Sequence, residues 1–227
     1  MADYKMEAAK AALQFIKPGQ TIGVGAGSTI ANLLSLLVVD TELLSSLTFA
    51  TSSFKTAGLI MEHGFRFIAS ENVQHIDIYF DGCDQFDAQL NALKCGGGIH
   101  TSEKIMATLA KEFILIGDVS KSVISLDNTY PLVLEVLPTA LILVKQWISD
   151  HIPTANITMR MSTQKDGAVI TENGNYLLDV HFAEMISLQN MNAFKMIPGV
   201  VEHSLFMGIA SKAIVAGPDG ISILTPH

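Results

Sequence analysis

Short apolar segments alternate with amphipathic segments along the first half of the chain. The apolar segments are typical of buried strands, and in the amphipathic ones apolar residues recur every three or four positions, as on one face of a helix. The predicted strands are 21–24, 47–50, 65–68, 76–80 and 113–116, and the predicted helices are 3–16, one beginning near Ser28, 54–63 and 102–111. This alternation predicts an α/β fold, with a Rossmann-like, mostly parallel sheet and helices on both of its faces.

A different order of elements begins after residue 126. The pattern predicts the order strand, helix, strand, strand, helix, strand, at 132–136, 139–149, 157–161, 168–180, 183–194 and 200–206. The fourth of these is interrupted by Asn173-Gly174, a strong hairpin-turn signal. The order is that of α+β ferredoxin-like domains. Two closing strands, 213–216 and 221–224, are expected to return to the first sheet. We therefore predict an α/β catalytic domain of residues 1–126 plus 207–227 and a smaller α+β ferredoxin-like lid domain of residues 127–206.

Charge and composition narrow the possible partners. The 227-residue chain has a formal net charge of -8, whereas nucleic-acid-binding proteins usually carry a basic face. Residues 1–15 lack the apolar run of a signal peptide, and no segment is apolar for long enough to span a membrane. We expect a cytoplasmic protein with no nucleic-acid or membrane partner. Its two cysteines, Cys83 and Cys95, lack a second cysteine or a histidine at zinc-site spacing, so we expect reduced thiols and no metal site.

A glycine-rich loop, residues 23–29, follows the first predicted strand and opens the next helix. Backbone N–H groups at such a helix start, together with the hydroxyls of Ser28 and Thr29, can bind an anion. The loop lacks the third glycine of the dinucleotide fingerprint, because Ser28 stands there, and it lacks the Gly-Lys-Ser/Thr of a P-loop. A tight turn with a serine helix cap is the plain alternative. A second hydroxyl run, residues 51–53, follows another strand, although an ordinary cap is the better explanation there.

A cluster of acidic, lysine and glycine residues forms the second candidate site. Asp81 and Asp84 follow a predicted strand directly, and in an open α/β sheet ligands bind beyond the carboxyl ends of the strands. Lys94 precedes three glycines, 96–98, whose backbone N–H groups can stabilise an oxyanion. Glu103 lies in the first turn of a predicted helix, where the helix dipole favours its ionised form, so it can serve as a general base. The set predicts proton transfer on a small anionic metabolite.

Each of these residues also has an ordinary structural explanation. Asp84 can cap a turn, Glu103 can be a routine first-turn acid, and Lys94 can be a solvated surface charge. No such explanation covers two sheet-edge aspartates, a triple glycine and a flanking lysine together. The combination therefore favours a functional site.

The same segments resemble a known family, ribose-5-phosphate isomerase of the A type. The similar stretches lie in order along essentially the whole chain, at 25–29, 81–84, 94–98, 101–104, 118–121, 135–138, 171–175, 178–181, 197–200 and 217–220. The resemblance implies an aldose-ketose isomerase that interconverts ribose 5-phosphate and ribulose 5-phosphate through an enediol, without a metal or organic cofactor. It also implies a homodimer or homotetramer whose partner is a small-molecule sugar phosphate.

The resemblance assigns roles to single residues. Glu103 matches the family's base, which carries a proton between two sugar carbons. Asp81 matches the group that moves hydroxyl protons, with Asp84 and Lys94 beside it as further catalytic residues. The implied substrate-binding residues are Ala26, Gly27, Ser28, Thr29, Gly82, Cys83, Cys95, Gly96, Gly97, Lys121 and Lys5.

The chain departs from the residues that the family commonly has at several positions. The family usually has threonine at Ala26, alanine at Cys83, glycine or alanine at Cys95, glutamate at Gln85 and arginine at Ser102. None of these differences removes a matched catalytic group, but the lost charges alter the local field. Because the two cysteines flank the presumed site, we expect thiol reagents to inhibit.

Two other classes of function stay open from the sequence. Glycine loops at a sheet edge serve binding as well as chemistry, so a non-catalytic sugar-phosphate sensor is the first alternative. The second is a different enzyme of related architecture, such as an acyl-CoA transferase with a glutamate nucleophile or an amino-sugar phosphate isomerase. A sensor would not need Asp81, Asp84, Lys94 and Glu103 all together.

Overall fold

The computed structural model describes residues 3–226, which form seven α-helices and thirteen strands. The helices are α1 Tyr4–Ala12, α2 Ser28–Leu37, α3 Thr41–Ser46, α4 Phe54–Glu62, α5 His100–Leu109, α6 Leu141–His151 and α7 Leu188–Ala193. The strands are β1 Thr21–Val24, β2 Thr48–Ala50, β3 Ile76–Asp81, β4 Gln85–Phe86, β5 Ala92–Leu93, β6 Ala110–Asp118, β7 Leu132–Val136, β8 Asn156–Met159, β9 Tyr176–His181, β10 Val200–His203, β11 Leu205–Phe206, β12 Lys212–Gly217 and β13 Gly220–Leu224.

A six-stranded sheet forms the centre of the larger part of the molecule. Its strand order is β13-β12-β6-β3-β1-β2, and all pairs are parallel except β12 with β13 at the edge. The antiparallel pair is the predicted closing hairpin, with Gly217 opposite Gly220. The predicted mostly parallel α/β sheet is therefore confirmed.

Helices cover both faces of this sheet, as the alternation along β6 shows. Ile114 and Ile116 belong to a buried cluster that includes apolar residues of α1 and α2. Phe113 and Leu115 point to the opposite face and belong to a second buried cluster, which includes Met106 of α5. Successive residues of a strand face opposite sides, so a continuous apolar run is what a sheet covered on both faces requires.

A four-stranded antiparallel sheet lies in the second half of the chain, in the order β10-β7-β9-β8. With α6 after β7 and α7 after β9, the element order is βαββαβ, as the ferredoxin-like interpretation predicts. Its buried cluster is separate from the two around the larger sheet and includes Leu134, Val144, Ile148, Leu178 and Val180. The larger sheet takes strands from 21–118 and 212–224, and the smaller one from 132–203. The exact domain division at residues 126 and 207 stays a prediction.

A third sheet of three very short strands, in the order β11-β5-β4, was not predicted. Each of its strands has two residues, which is too short to produce a recognisable alternation of apolar and polar positions. Its middle strand, β5, ends immediately before Lys94, and the Lys94 backbone N–H donates to the carbonyl of Ser204 at 3.0 Å. This small sheet therefore positions Lys94.

Some element predictions were wrong in detail. Residues 65–68 form no strand but a single parallel bridge, between Phe67 and Phe49, because the neighbouring strand β2 is itself only three residues long. The first arm of the predicted hairpin makes only isolated bridges, at Ala168 and Ile170. The predicted helix 183–194 begins later, where the side chain of Ser187 accepts from the backbone N–H of Asn190. Its preceding residues are loop, and the predicted strand 200–206 is divided at residue 204 between two sheets.

Within residues 3–226, none of the helices has both the length and the apolar character needed to cross a membrane.

Candidate active site

A cavity of about 590 Å³ opens at the carboxyl ends of the parallel strands. The amino ends of α2, α4 and α5 meet at the same place, where ligands bind in open α/β sheets. The cavity is lined by Lys5, Ala26, Gly27, Ser28, Thr29, Ser53, Phe54, Lys55, Asp81, Gly82, Cys83, Asp84, Lys94, Gly96, Gly97, Ile99, Glu103, Ile116, Gly117, Asp118 and Lys121. The structure thus brings together every predicted site residue except Cys95.

The glycine loop after β1 contributes backbone groups to this cavity. α2 begins at Ser28 without a side-chain cap, after Gly27 with φ of 100°. The free N–H groups of a helix start can therefore face a bound anion. Gly25 has a different task, because a Cβ at that position would lie 1.9 Å from Cγ of Asp81. Only glycine leaves room for the Asp81 carboxyl group.

Asp81, the last residue of β3, is almost fully buried beneath the cavity. Its Oδ1 accepts from the backbone N–H of Gly82 at 2.8 Å and of Ala26 at 3.3 Å. Its Oδ2 accepts from the Tyr79 hydroxyl at 2.7 Å and lies 2.8 Å from Nζ of Lys94. Four donors thus compensate one buried carboxylate. The Tyr79 contact was missed from the sequence, although residues two apart in a strand share a face.

Lys94 joins the two carboxylates of the site. Besides its contact with Asp81, its Nζ lies 3.3 Å from Oε2 of Glu103 and donates to the carbonyl of Gly82 at 2.6 Å. Burial on its own would lower the pKa of Lys94, but the charges of Asp81 and Glu103 outweigh burial and raise it above the usual value. Lys94 is therefore a fixed ammonium group, not a solvated surface charge.

Glu103 lies in the first turn of α5 and is buried. Burial raises its pKa to about 8, the charge of Asp81 adds to the rise, and Lys94 opposes it. The expectation that the helix dipole would keep Glu103 ionised was wrong, because the desolvation of a buried carboxylate exceeds the stabilisation from a helix end. A carboxyl group whose pKa lies near the working pH suits general-base catalysis better than an ordinary glutamate.

Asp84 shapes the loop that carries the three glycines. Its Oδ2 accepts from the backbone N–H of Cys95 at 2.6 Å and of Gly96 at 3.2 Å. Gly97 and Gly98 follow with φ of 48° and 76°, a backbone region that favours glycine. The Cys95 side chain points away from the cavity, and its Sγ donates to the carbonyl of Pro131 at 3.0 Å. Cys95 therefore contacts Asp84 through its backbone N–H and not through its side chain.

Two further lysines, Lys5 and Lys121, line the cavity. Lys5 of α1 and Lys121, which follows β6, both lie near Asp118. Burial would raise the pKa of Asp118, but its bonds with Ser120 and the charges of Lys121 and Lys5 lower it overall. Lysines from distant parts of the chain therefore converge beside Asp118 in this cavity.

Comparison with known proteins places the chain in a family. The sequence model of ribose 5-phosphate isomerase A (phosphoriboisomerase A) matches residues 48–220. The chain belongs to the ribose 5-phosphate isomerase A family. Among similar curated proteins, Ribose-5-phosphate isomerase A of Thermosynechococcus vestitus is 35% identical, with 93% of this chain and 90% of that protein covered. The protein of the same name from Thermococcus kodakarensis is 35% identical, with 96% of each covered.

Solved structures of this family agree with the fold. Ribose 5-phosphate isomerase A from Methanocaldococcus jannaschii superposes with a TM-score of 0.89 at 33% identity, covering 98% of both chains. A D-ribose-5-phosphate isomerase solved in complex with phospho-erythronic acid superposes with a TM-score of 0.90 at 34% identity, again covering 98% of both chains. The family resemblance inferred from the motifs is confirmed.

Lys55 lines the cavity but was not predicted from the sequence as a site residue. It lies in the first turn of α4, which is capped by Ser53, so its charge is added where a helix end already favours an anion. The sequence contained a signal for this residue. The hydroxyl run 51–53 follows a strand, and Lys55 comes two residues later, at the start of the next helix. The ordinary-cap interpretation of Ser53 is correct as well, since its Oγ accepts from the backbone N–H of Thr56 at 3.2 Å.

From their burial, we expect the two thiols to be less reactive than their position beside the cavity suggested. Burial raises the pKa of Cys83 to about 12 and that of Cys95 to about 12. The thiolate is the nucleophilic form, so at neutral pH both side chains should react slowly with alkylating agents. The structure therefore weakens the expectation that thiol reagents inhibit.

Within residues 3–226, histidine, cysteine and acidic side chains form no group of three or more arranged to hold a metal ion.

Proposed function

We propose that the protein interconverts D-ribose 5-phosphate and D-ribulose 5-phosphate through an enediolate intermediate. The observation that carries the proposal is a single ammonium group, Lys94, placed 2.8 Å from Asp81 and 3.3 Å from Glu103 inside the cavity. Moving a hydrogen between two adjacent sugar carbons requires a base at carbon and proton transfer at oxygen, and these groups supply both. Membership of the ribose 5-phosphate isomerase A family supports the same substrate.

Glu103 acts as the general base in this proposal. It removes the proton from the carbon next to the carbonyl and returns it to the neighbouring carbon. Its raised pKa gives the carboxylate more driving force for this transfer than an exposed glutamate would have. A positioned general base contributes roughly a hundred- to ten-thousand-fold to the rate.

When the proton leaves carbon, negative charge develops on the carbonyl oxygen. We assign the stabilisation of this charge to the ammonium group of Lys94 and the backbone N–H groups of Gly96 and Gly97. Donors fixed before the reaction stabilise an oxyanion without reorganisation, and the loss of one donor typically costs about a hundred- to a thousand-fold. Asp81 transfers hydroxyl protons during ring opening and isomerisation. Asp84 acts alongside it by holding the glycine loop in place through Cys95 and Gly96.

The phosphate group is assigned to the part of the cavity that Lys5 and Lys121 line. Lys5 and Lys121 provide charge, and the α2 start provides the hydroxyls of Ser28 and Thr29. This arrangement leaves the carbonyl end of the sugar near Glu103. Gly82 and Cys83, together with Ala26 and Gly27 of the glycine loop, line the same cavity and are assigned to contacts with the rest of the sugar.

We further propose that the protein works in the cytoplasm as a homodimer or homotetramer, needs no metal or organic cofactor, and folds as the two domains predicted from the sequence. Light scattering coupled to size-exclusion chromatography would measure the oligomeric state. A monomeric mass at assay concentrations would contradict that part of the proposal.

The deciding experiment is direct. Purified protein is incubated with ribose 5-phosphate, with and without EDTA, and ribulose 5-phosphate is measured as it forms. Conversion at the same rate in both samples supports a metal-free isomerase. Binding of ribose 5-phosphate without conversion would favour a sensor, and covalent labelling of Glu103 by an acyl-CoA would favour a transferase.

A further inference from the structure

A second buried glutamate, Glu135, lies outside the cavity in the middle of the smaller antiparallel sheet. It belongs to β7 and is 1% exposed. Its Oε1 accepts from the Thr171 hydroxyl at 2.8 Å, the Asn175 amide at 2.8 Å and the Asn173 amide at 3.1 Å. Its Oε2 accepts from the hydroxyl of Thr101. Burial favours the neutral form of this carboxyl group, but its four donors outweigh burial and lower its pKa. Glu135 is therefore a buried charge held by neutral groups.

The Thr101 contact connects this network to the helix that carries Glu103. Thr101 is the second residue of α5, and Glu103 follows two positions later. Each residue of an α-helix turns the chain by about 100°, so these two side chains leave the helix about 200° apart. The first turn of α5 is thus held from one side by Glu135 and meets Lys94 on the other.

A second contact links the first turn of α5 to the segment that surrounds Glu135. The hydroxyl of Ser102 donates to Oε1 of Glu172 at 2.6 Å. Glu172 lies in the turn that also supplies Thr171, Asn173 and Asn175 to Glu135. The start of α5 lacks a side-chain cap of its own, and these two contacts join those of Glu103 with Lys94 and of His100 with the Glu202 carbonyl in holding its first turn.

We propose that Thr101 and Glu135 are positioning residues for the isomerase reaction, which hold the first turn of α5 so that Glu103 stays at its distance from Lys94 and the substrate carbon. The inference rests on the proposed function and adds to it a requirement for groups outside the cavity. A displacement of about 1 Å at a reacting group can cost about a hundred-fold in rate. The network therefore affects turnover more than it affects binding of the phosphate.

The test compares three single variants of the full-length protein. Thr101→Val keeps the shape of the side chain and removes its hydroxyl, whereas Thr101→Ser keeps the hydroxyl. Thr108→Val makes the same change in the last turn of α5, where the hydroxyl donates only to the Lys104 carbonyl at 2.8 Å. For each variant, kcat, KM and the pH profile of kcat/KM are measured, and circular dichroism checks the fold.

Thr101→Val should lower kcat by about ten- to a hundred-fold and change KM by less than about three-fold, because the part of the cavity assigned to the phosphate is untouched. The apparent pKa on the acid side of its kcat/KM profile should also shift, since the pKa of Glu103 depends on its distance from Lys94 and Asp81. Thr101→Ser, which keeps the hydroxyl, should have kcat and the apparent pKa close to those of the parent protein. Thr108→Val should leave both quantities unchanged.

Several results would overturn the proposal. A folded Thr101→Val protein with the parent kcat and pH profile would do so, as would equal losses in Thr101→Val and Thr108→Val. If Thr101→Val does not fold, Thr101→Ala takes its place; failure of both to fold would mean that the hydroxyl serves folding alone. A parent protein that forms no ribulose 5-phosphate would instead defeat the proposed function, so the two failures can be told apart.

Discussion

Two buried glutamates meet at the first turn of α5, where Glu103 belongs to the turn and Glu135 contacts it through Thr101, and their surroundings differ in the partners that they offer a carboxyl group. Glu103 has one cationic partner, Lys94, and must share it with the carboxylate of Asp81 at 2.8 Å. Glu135 has no cationic contact among the described residues and accepts four hydrogen bonds from hydroxyls and amides. The pKa of Glu103 is raised to about 8, and that of Glu135 is lowered.

This contrast teaches that burial alone does not decide the charge state of a carboxyl group. Desolvation favours the neutral form at both positions. Several well-aimed neutral donors can overcome it, whereas one lysine divided between two acids does not. The same helix therefore carries a carboxyl group ready to accept and release a proton and is anchored by another that stays ionised.

The largest expected effect is on turnover. Glu103→Gln keeps the size of the side chain but removes the base, so kcat should fall by about a thousand-fold or more while KM stays within a few-fold of the parent. Steady-state assays with ribose 5-phosphate would measure both. Retention of a tenth of the parent activity would exclude Glu103 as the base.

The next effect concerns stability at neutral pH. Glu135→Gln replaces one acceptor oxygen with an NH2 donor and removes the charge that strengthens the other hydrogen bonds, so it should lower the free energy of unfolding by about 1–3 kcal/mol. The folded-state pKa of Glu135 is lowered, so its stabilisation is present above its ordinary value of 4.5 and is lost as pH falls through the folded-state pKa. Urea unfolding at pH 7 and near pH 4 would check this, because the gap between parent and variant should shrink at the lower pH. An equal gap at both would contradict it.

A further effect concerns the pH dependence of catalysis. Glu103 must be deprotonated in the free enzyme to act as a base, so kcat/KM should fall by about tenfold for each pH unit below its pKa of about 8. The parent profile measured between pH 5 and pH 9 would show this limb. An acid limb near the ordinary glutamate value of 4.5 would mean that Lys94 compensates burial fully in solution, and the comparison of the two glutamates would lose its basis.

The smallest effect is a gain in stability for the inactive variant. The folded-state pKa of Glu103 is raised, so the stabilising contribution of its protonated form is complete below 4.5 and is lost as pH rises through about 8. Glu103→Gln should therefore gain stability relative to the parent protein as pH rises from 5 to 9, because the variant has no carboxyl group that must ionise in the buried site. Melting temperatures of both proteins at pH 5 and pH 9 would test it. A constant difference would contradict the raised pKa.

The sequence predicted well those features that depend on neighbouring residues. Apolar runs located β1, β3, β6 and β7. Asp81 and Asp84 could be placed at a sheet edge because they follow a predicted strand, and Glu103 could be placed in the first turn of a predicted helix. Glycines and lysines at known spacing then indicated an anion site. These inferences need only local periodicity and the rule that ligands bind beyond the carboxyl ends of parallel strands.

Other features depend on contacts between distant segments and could not be predicted from the sequence. The donors of Glu135 come from residues 101 and 171–175, and the strand that positions Lys94 pairs with residues 205–206. The pKa of Glu103 depends on how deeply the folded chain buries it, and its position in a helix start pointed in the wrong direction. The periodicity of apolar residues carries no information about contacts between distant segments.

Gly25 limits which amino-acid substitutions this site can accept during evolution. The carboxyl group of Asp81 occupies the space where any larger residue at position 25 would place its Cβ, since the two would be 1.9 Å apart. Every substitution at position 25 adds that atom, so a single change there collides with the Asp81 carboxyl group however conservative it is. The constraint runs one way: position 25 has no one-step mutational route that keeps the Asp81 carboxyl group in place, so a residue with a Cβ can be accepted there only after position 81 has changed.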